Sequence, residues 1–288
     1  MAARPAYPRF PEKWRFRSIT SPAAFHARYR SGVVAPASCV VLWNPRVAES
    51  LARRIHAEPV AAIPRTWSVP GTRGQVGFTV PRGVGAPTTV IHLEELVAAG
   101  SRRFIGVGFA GGIAPDAVPG EVVVPDRAIR DEGTSHHYAP AHVVAEPSRP
   151  LRRWVESLLR RSGIPFRTGP NWTIDAPYRE TVAELRHYRA DGVLTVEMEA
   201  SAMFLFARAR RVPIASALVV SDRLSERGWE LQFHAVGDRV GRIAGAILDT
   251  WASERPSRTA PGGTARAGST AARRRSTPRR AARSRSTS

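Results

Sequence analysis

The sequence predicts an α/β sandwich built on a mixed or parallel sheet. Short apolar runs of strand length alternate with amphipathic helical stretches along most of the chain. The runs at 104–108 and 214–220 carry no charge, as expected of strands buried on both faces. The 288 residues suffice for one large α/β domain or two small ones, and no internal repeat divides them.

The elements follow in order. Residues 1 to about 30 read as irregular or peripheral. Val40-Val41-Leu42 is a short strand. Residues 45–56 form a helix with Val47, Leu51 and Ile55 on one face. Residues 75–81 are strand-like, and Gly83-Val84-Gly85-Ala86-Pro87 is a glycine turn. The next helix sets Val90, Leu93, Leu96 and Val97 on one side and is capped by Gly100. After the strand at 104–108, Ala110-Gly111-Gly112 reads as a loop needing close backbone approach or positive φ. Residues 121–125 form a strand, and 151–162 and 178–189 form helices, the latter entered through Asp175-Ala176-Pro177. Residues 199–210 form a helix. The strand at 214–220 ends at Ser221-Asp222, and 230–252 is a closing helix.

The formal net charge is +19, and Lys13 is the only lysine, so the positive charge is almost all arginine. Cys39 is the only cysteine, which excludes an intrachain disulfide and fits a reducing compartment. No run approaches the length of a membrane span, and residues 1–17 lack the apolar core of a secretory signal. The expectation is a cytoplasmic protein that does not contact a membrane. From about residue 254 to 288 the chain is rich in Arg, Ser and Ala, with no large apolar residue beyond Pro256. Such composition predicts a disordered basic tail. Its arginines can touch nucleic acid weakly through charge, without aromatic residues to stack on bases. The division expected is an irregular segment at 1–34, a folded domain at 35–253 and the tail at 254–288.

Val196-Glu197-Met198-Glu199-Ala200 places two acids inside apolar sequence, and Val219-Val220-Ser221-Asp222 puts a third at the end of a buried strand. Carboxylates are rarely buried without a partner or a task. An acid at the carboxyl end of a strand lies where open α/β sheets bind ligands. The arrangement points to an enzyme.

These motifs, with Gly83-Val84-Gly85-Ala86-Pro87-Thr88, Gly108-Phe109-Ala110-Gly111-Gly112 and Gly120-Glu121-Val122-Val123-Val124, occur in the order seen in the nucleoside phosphorylase superfamily, which the chain resembles from about 39 to 248. Residues 128–138 look closest to its uridine phosphorylase branch. The resemblance implies a single-domain three-layer αβα sandwich with a central mixed sheet. It implies cleavage of a nucleoside's N-glycosidic bond, by family default phosphorolysis to free base and ribose 1-phosphate. Glu199 matches the carboxylate that accepts hydrogen bonds from the ribose hydroxyls and stabilises the cationic sugar. Met198 matches the residue under the sugar. Glu197 matches an acid near the ribose, or is a structural carboxylate bonded to backbone amides. Asp222 matches the general acid of the purine enzymes, a role that needs a proton near neutral pH. Tyr178 either stacks on the base or packs at a helix entry, and Arg179 can hydrogen-bond a base oxygen. Arg46, with the amides of Gly83 and Gly85, matches a phosphate site. His136 and His137 fit loop or subunit-interface residues better than catalysts, and show no metal-site spacing. No cofactor and no metal is implied. The partners implied are a small nucleoside, phosphate, and further copies in a homo-oligomer of dimers, with His26 a possible donor to a neighbouring site.

Three departures from the family pattern bear on phosphate. The first strand–helix loop, Leu42-Trp43-Asn44-Pro45-Arg46, has no glycine. Gly106 stands where the family has a second arginine, and Phe109 where it has a Ser or Thr. Each lost charged hydrogen bond is worth roughly 1.5–3 kcal/mol. The loop also lacks the glutamate that activates water in the related nucleosidases; Glu49 lies a turn further on. Three readings follow: a phosphorylase of uncertain base, tilted to purines by Asp222; a phosphate-independent nucleosidase or nucleotide hydrolase; and a non-catalytic nucleoside-binding protein.

Overall fold

A computed structural model describes residues 7–10, 12–231 and 236–254. The tail reading for 255–288 falls outside them, as do residues 1–6 and 11 of the N-terminal segment. The helices are α1 (Pro22–Tyr29), α2 (Pro45–Arg54), α3 (Ala86–Ala98), α4 (Arg149–Arg161), α5 (Val182–Ala190), α6 (Ala200–Arg210) and α7 (Gly237–Ser253). The strands are β1 (Ser38–Leu42), β2 (Glu58–Pro59), β3 (Thr66–Ser68), β4 (Val76–Thr79), β5 (Arg103–Gly112), β6 (Val122–Asp131), β7 (Phe166–Ile174), β8 (Thr195–Glu197), β9 (Ile214–Ser225) and β10 (Gly228–Leu231).

Alternation along β1 explains the layers. Val40 and Leu42 pack with α2, α4 and α7, while Cys39 and Val41 pack with α3 and α6. The fold is therefore α/β with helices on both faces of one mixed sheet, as expected. Its order is β10-β9-β6-β7-β8-β5-β1-β4-β3-β2. In addition β5 pairs in parallel with β9, so β5, β9, β6, β7 and β8 close into a ring.

The ring accounts for most differences from the sequence reading. Ala110-Gly111-Gly112 is not a loop: β5 runs through it, paired with β9 and then β8. Gly111 and Gly112 serve close approach and not positive φ. A Cβ at Gly112 would lie 2.7 Å from that of Ala117. The strand at 214–220 continues to Ser225, because β10 folds back on it as an antiparallel hairpin. The closing helix accordingly starts at Gly237, and Gly228–Leu231 is strand.

The helix expected at 178–189 begins at Val182. A 3-10 turn at Pro177–Arg179 precedes it, and Thr181 and Glu184 form a capping box at its start. The N-terminal segment is not wholly irregular. Ser21 accepts the Ala24 N–H and Pro22 opens α1, whose following Arg30 pairs with Glu95 of α3 at 2.6 Å. Strand β7 was hidden by Gly169-Pro170, which sits where a register shift between Pro125 and Arg127 of β6 absorbs the irregularity.

Candidate active site

The mouth of the ring opens into a cavity of roughly 1030 Å³. Strands β5, β8 and β9 supply its floor, the loop before α2 one wall, and the 177–182 segment with the β9–β10 hairpin the other.

Glu197 ends β8 and is buried. Its Oε1 accepts from Asn171 Nδ2 and Thr173 Oγ1, both at 2.7 Å. Its Oε2 accepts the N–H groups of Glu199 and Ala200, both at 2.8 Å, and so caps α6. Burial pushes its pKa up, and these bonds pull it back. Both oxygens are thus occupied by the protein, two of the four bonds being to backbone amides. Glu199 is also buried and lines the cavity. Gly85 N–H donates to its Oε1 at 2.5 Å. Burial, then the neighbouring Glu197, raises its pKa to about 8. Met198 lies on the cavity wall between them.

Asp222 lies at a bulge. Ala110 pairs with Val220 but Gly111 with Asp222, so Ser221 is the extra residue of β9. The Ser221 hydroxyl donates to Asp222 Oδ1 at 2.5 Å, and Trp229 Nε1 of β10 donates to Oδ2 at 2.6 Å. Gly111 is close-packed beneath: a Cβ there would lie 2.6 Å from Leu224 Cδ1 and 3.2 Å from Asp222 Oδ2. Tyr178 also lines the cavity, largely exposed, with its ring edge-on to Trp229 at 6.3 Å between centroids. Arg179 is exposed and outside the lining; its neighbour Glu180 takes that place.

The phosphate-site residues come together less well. Arg46 lines the cavity, but the amides of Arg46 and Val47 are taken by Asn44 Oδ1 at 3.0 and 3.3 Å. The Gly85 amide, expected on phosphate, is given to Glu199 instead. Gly83 does not line the cavity. The Trp43 ring lies against the backbone of β5. A Cβ at Gly106 would be 2.9 Å from Trp43 Cη2, and one at Gly108 would be 2.8 Å from Cε3. The indole N–H is anchored on Thr89 Oγ1 at 2.9 Å. An arginine at Gly106 and this ring exclude each other. His136 and His137 lie away from the cavity; His137 Nε2 meets the Tyr7 hydroxyl at 3.1 Å. No cluster of three metal-ligating side chains occurs among the described residues. No helix among them is long and apolar enough to cross a membrane.

Sequence reasoning missed Trp43, Glu180 and Trp229. For Trp43 a signal existed. Gly106 and Gly108 are two apart on a strand, so they share a face and leave a slot that a flat ring fills.

Residues 65–252 match the sequence profile of the Phosphorylase superfamily. Uridine phosphorylase of Treponema pallidum is 32% identical over 57% of this chain and 68% of its own length. A DeoD-type purine nucleoside phosphorylase of Exiguobacterium sibiricum is 29% identical over 53% of this chain and 70% of its own. The crystal structure of uridine phosphorylase from Vibrio fischeri superposes with a TM-score of 0.63 at 22% identity, covering 82% of this chain and all of that one, and shares the fold. With the profile spanning most of the folded residues, the chain belongs to the phosphorylase superfamily.

Proposed function

We propose that this protein cleaves the N-glycosidic bond of a nucleoside, and that its domain comprises residues 35–253. The observation that carries the reading is the pairing of two buried carboxyls, Glu199 and Asp222, on one cavity walled by Phe109, Val196, Leu224 and Trp229. Glu199 accepts the ribose hydroxyls, and once ionised, above about pH 8 in the free protein, its charge favours the sugar's oxocarbenium character as the base departs. Met198 packs against the sugar. Tyr178 and Trp229 hold the base by its faces or edges, and Asp222 meets its polar rim. An acidic base pocket suits a purine, while the named relatives include both uridine and purine phosphorylases. No cofactor enters this chemistry. Oligomerisation as dimers of this chain belongs to the same reading.

Phosphorolysis is the reaction expected from the relatives' names, with Arg46 as the anion's partner. The seating of Trp43 against Gly106 and Gly108 favours a second reading, hydrolysis without phosphate. Base release from purine and pyrimidine nucleosides, with and without phosphate, separates them. Phosphate-dependent release yielding ribose 1-phosphate supports the first, and release indifferent to phosphate the second. Failure to release base from any nucleoside would overturn both.

A further inference from the structure

Two carboxyls face the base end of the cavity, and their surroundings differ. Asp222 is held by the Ser221 hydroxyl on one oxygen and the Trp229 indole on the other. Both partners donate, so both oxygens are fixed in place as acceptors. Glu180 follows the 3-10 turn at Pro177–Arg179, half-buried and lining the same cavity, while Arg179 beside it points away from the lining. No side-chain hydrogen bond or ion pair to the Glu180 carboxyl is made among the described residues. Other charged groups border this region. Glu184 of α5 is held by Thr181, Glu226 is paired with Arg186, and Arg227 stands on the β9–β10 turn, with Arg46 on the opposite wall. Burial, then the charges of Asp222 and Glu184, pushes the Glu180 pKa up to about 7.

We infer that Glu180 is the proton-carrying acid of the base pocket and Asp222 its fixed hydrogen-bond acceptor. This rests on the nucleoside-cleaving reading above, and it divides between two residues the role that the sequence assigned to Asp222 alone. As the C1′–N9 bond of a purine nucleoside breaks, its electron pair passes to the base. The Glu180 hydroxyl proton moves to a ring nitrogen such as N7, leaving Glu180 as carboxylate. The bond to C1′ is replaced by one to phosphate or water. Asp222 meanwhile accepts from a base N–H. Two nearby carboxyls, one held by two donors and the other without a side-chain partner among the described residues, suit such a division.

The test is kcat/KM against pH for wild type and Glu180→Gln, on guanosine and on 7-methylguanosine. The latter base leaves as a neutral species and needs no proton. The substitution is expected to cost roughly 10²–10⁴-fold on guanosine. It is expected to cost less than about tenfold on 7-methylguanosine, and to remove a loss of activity centred near pH 7. An equal loss on both substrates, or an unchanged alkaline limb, overturns the assignment. Wild type that cleaves neither of these nor any pyrimidine nucleoside defeats the functional reading separately. In that case binding of guanine is followed by tryptophan fluorescence across pH 5–9. Wild-type binding that weakens above about pH 7, absent in Glu180→Gln, supports the protonated carboxyl. Binding with the same pH dependence in both proteins refutes it. Unchanged Tm in the variant excludes a folding defect.

Discussion

Replacing Glu197 by Gln tests whether that acid holds the site together or touches substrate. In wild type its two oxygens receive four hydrogen bonds. The amide of Gln keeps one oxygen. Turned toward Glu199 N and Ala200 N, it preserves the cap on α6 and the position of Glu199. Its NH2 then faces Asn171 Nδ2 and Thr173 Oγ1. Thr173 Oγ1 already accepts from Ser201 N–H at 3.0 Å, so it cannot take the new NH2 and also keep its 3.4 Å contact with Asn171 Nδ2, and one donor is left without a partner. An orphaned buried donor costs roughly 1–3 kcal/mol, and loss of charge assistance about 1 kcal/mol for each surviving bond. Relief of burying a charge offsets part of this, leaving a loss of about 2 kcal/mol. For a folded unit of this size the Tm should fall by roughly 4–8 °C. Urea unfolding and a thermal scan measure it, with kcat/KM determined well below the transition. Activity should stay within about tenfold of wild type, since no lone pair of Glu197 is left for a sugar hydroxyl. Stability equal to wild type would refute the hydrogen-bond argument. A 10³-fold loss of activity with Tm intact would place Glu197 on the ribose.

Other outcomes follow from neighbouring groups. Glu199 titrates near 8 in the fold and near 4.5 unfolded, so the folded state holds the extra proton between those values. Stability should therefore fall as pH rises from about 4.5 to about 8, and Glu199→Gln should flatten that slope in urea titrations. Trp43→Ala should open the slot over Gly106 and Gly108. A thermal shift on adding 10–50 mM phosphate, of about 1 °C or more and larger than in wild type, is the expected readout. Gly106→Ala should cost roughly 1–3 kcal/mol, read by urea unfolding, because the Trp43 ring must move. Trp229→Phe removes a donor from Asp222, and kcat/KM should drop about tenfold or more with Tm nearly unchanged.

The acids of the candidate site were legible because burial of an acid is rare enough to stand out: Glu197, Glu199 and Asp222 are all buried and line the cavity. The burial of the strands at 104–108 and 214–220 was legible from uncharged, mostly apolar runs. Side-chain direction within an irregular turn was not. Arg179 and Glu180 are adjacent, and no periodicity exists in a 3-10 turn to say which one faces inward. The Trp229 bond to Asp222 depends on a hairpin whose turn, Ser225 to Gly228, lacks a strong alternating pattern beside it. The extension of β5 through Gly111 and Gly112 was hidden because glycine marks loops and close-packed strands alike.

Ring closure has a consequence for how the molecule comes into being. The pairing of Phe104 with Ile214 joins segments far apart in sequence, and the cavity floor requires β5, β8 and β9 together. During synthesis no chain ending before the β9–β10 hairpin can contain the pocket. High contact order of this kind makes closure a slow, late event. Until those strands meet, the cavity offers a ligand no place to bind. Any ligand of the cavity therefore stabilises only molecules whose ring has closed, and leaves partial chains exposed to proteases.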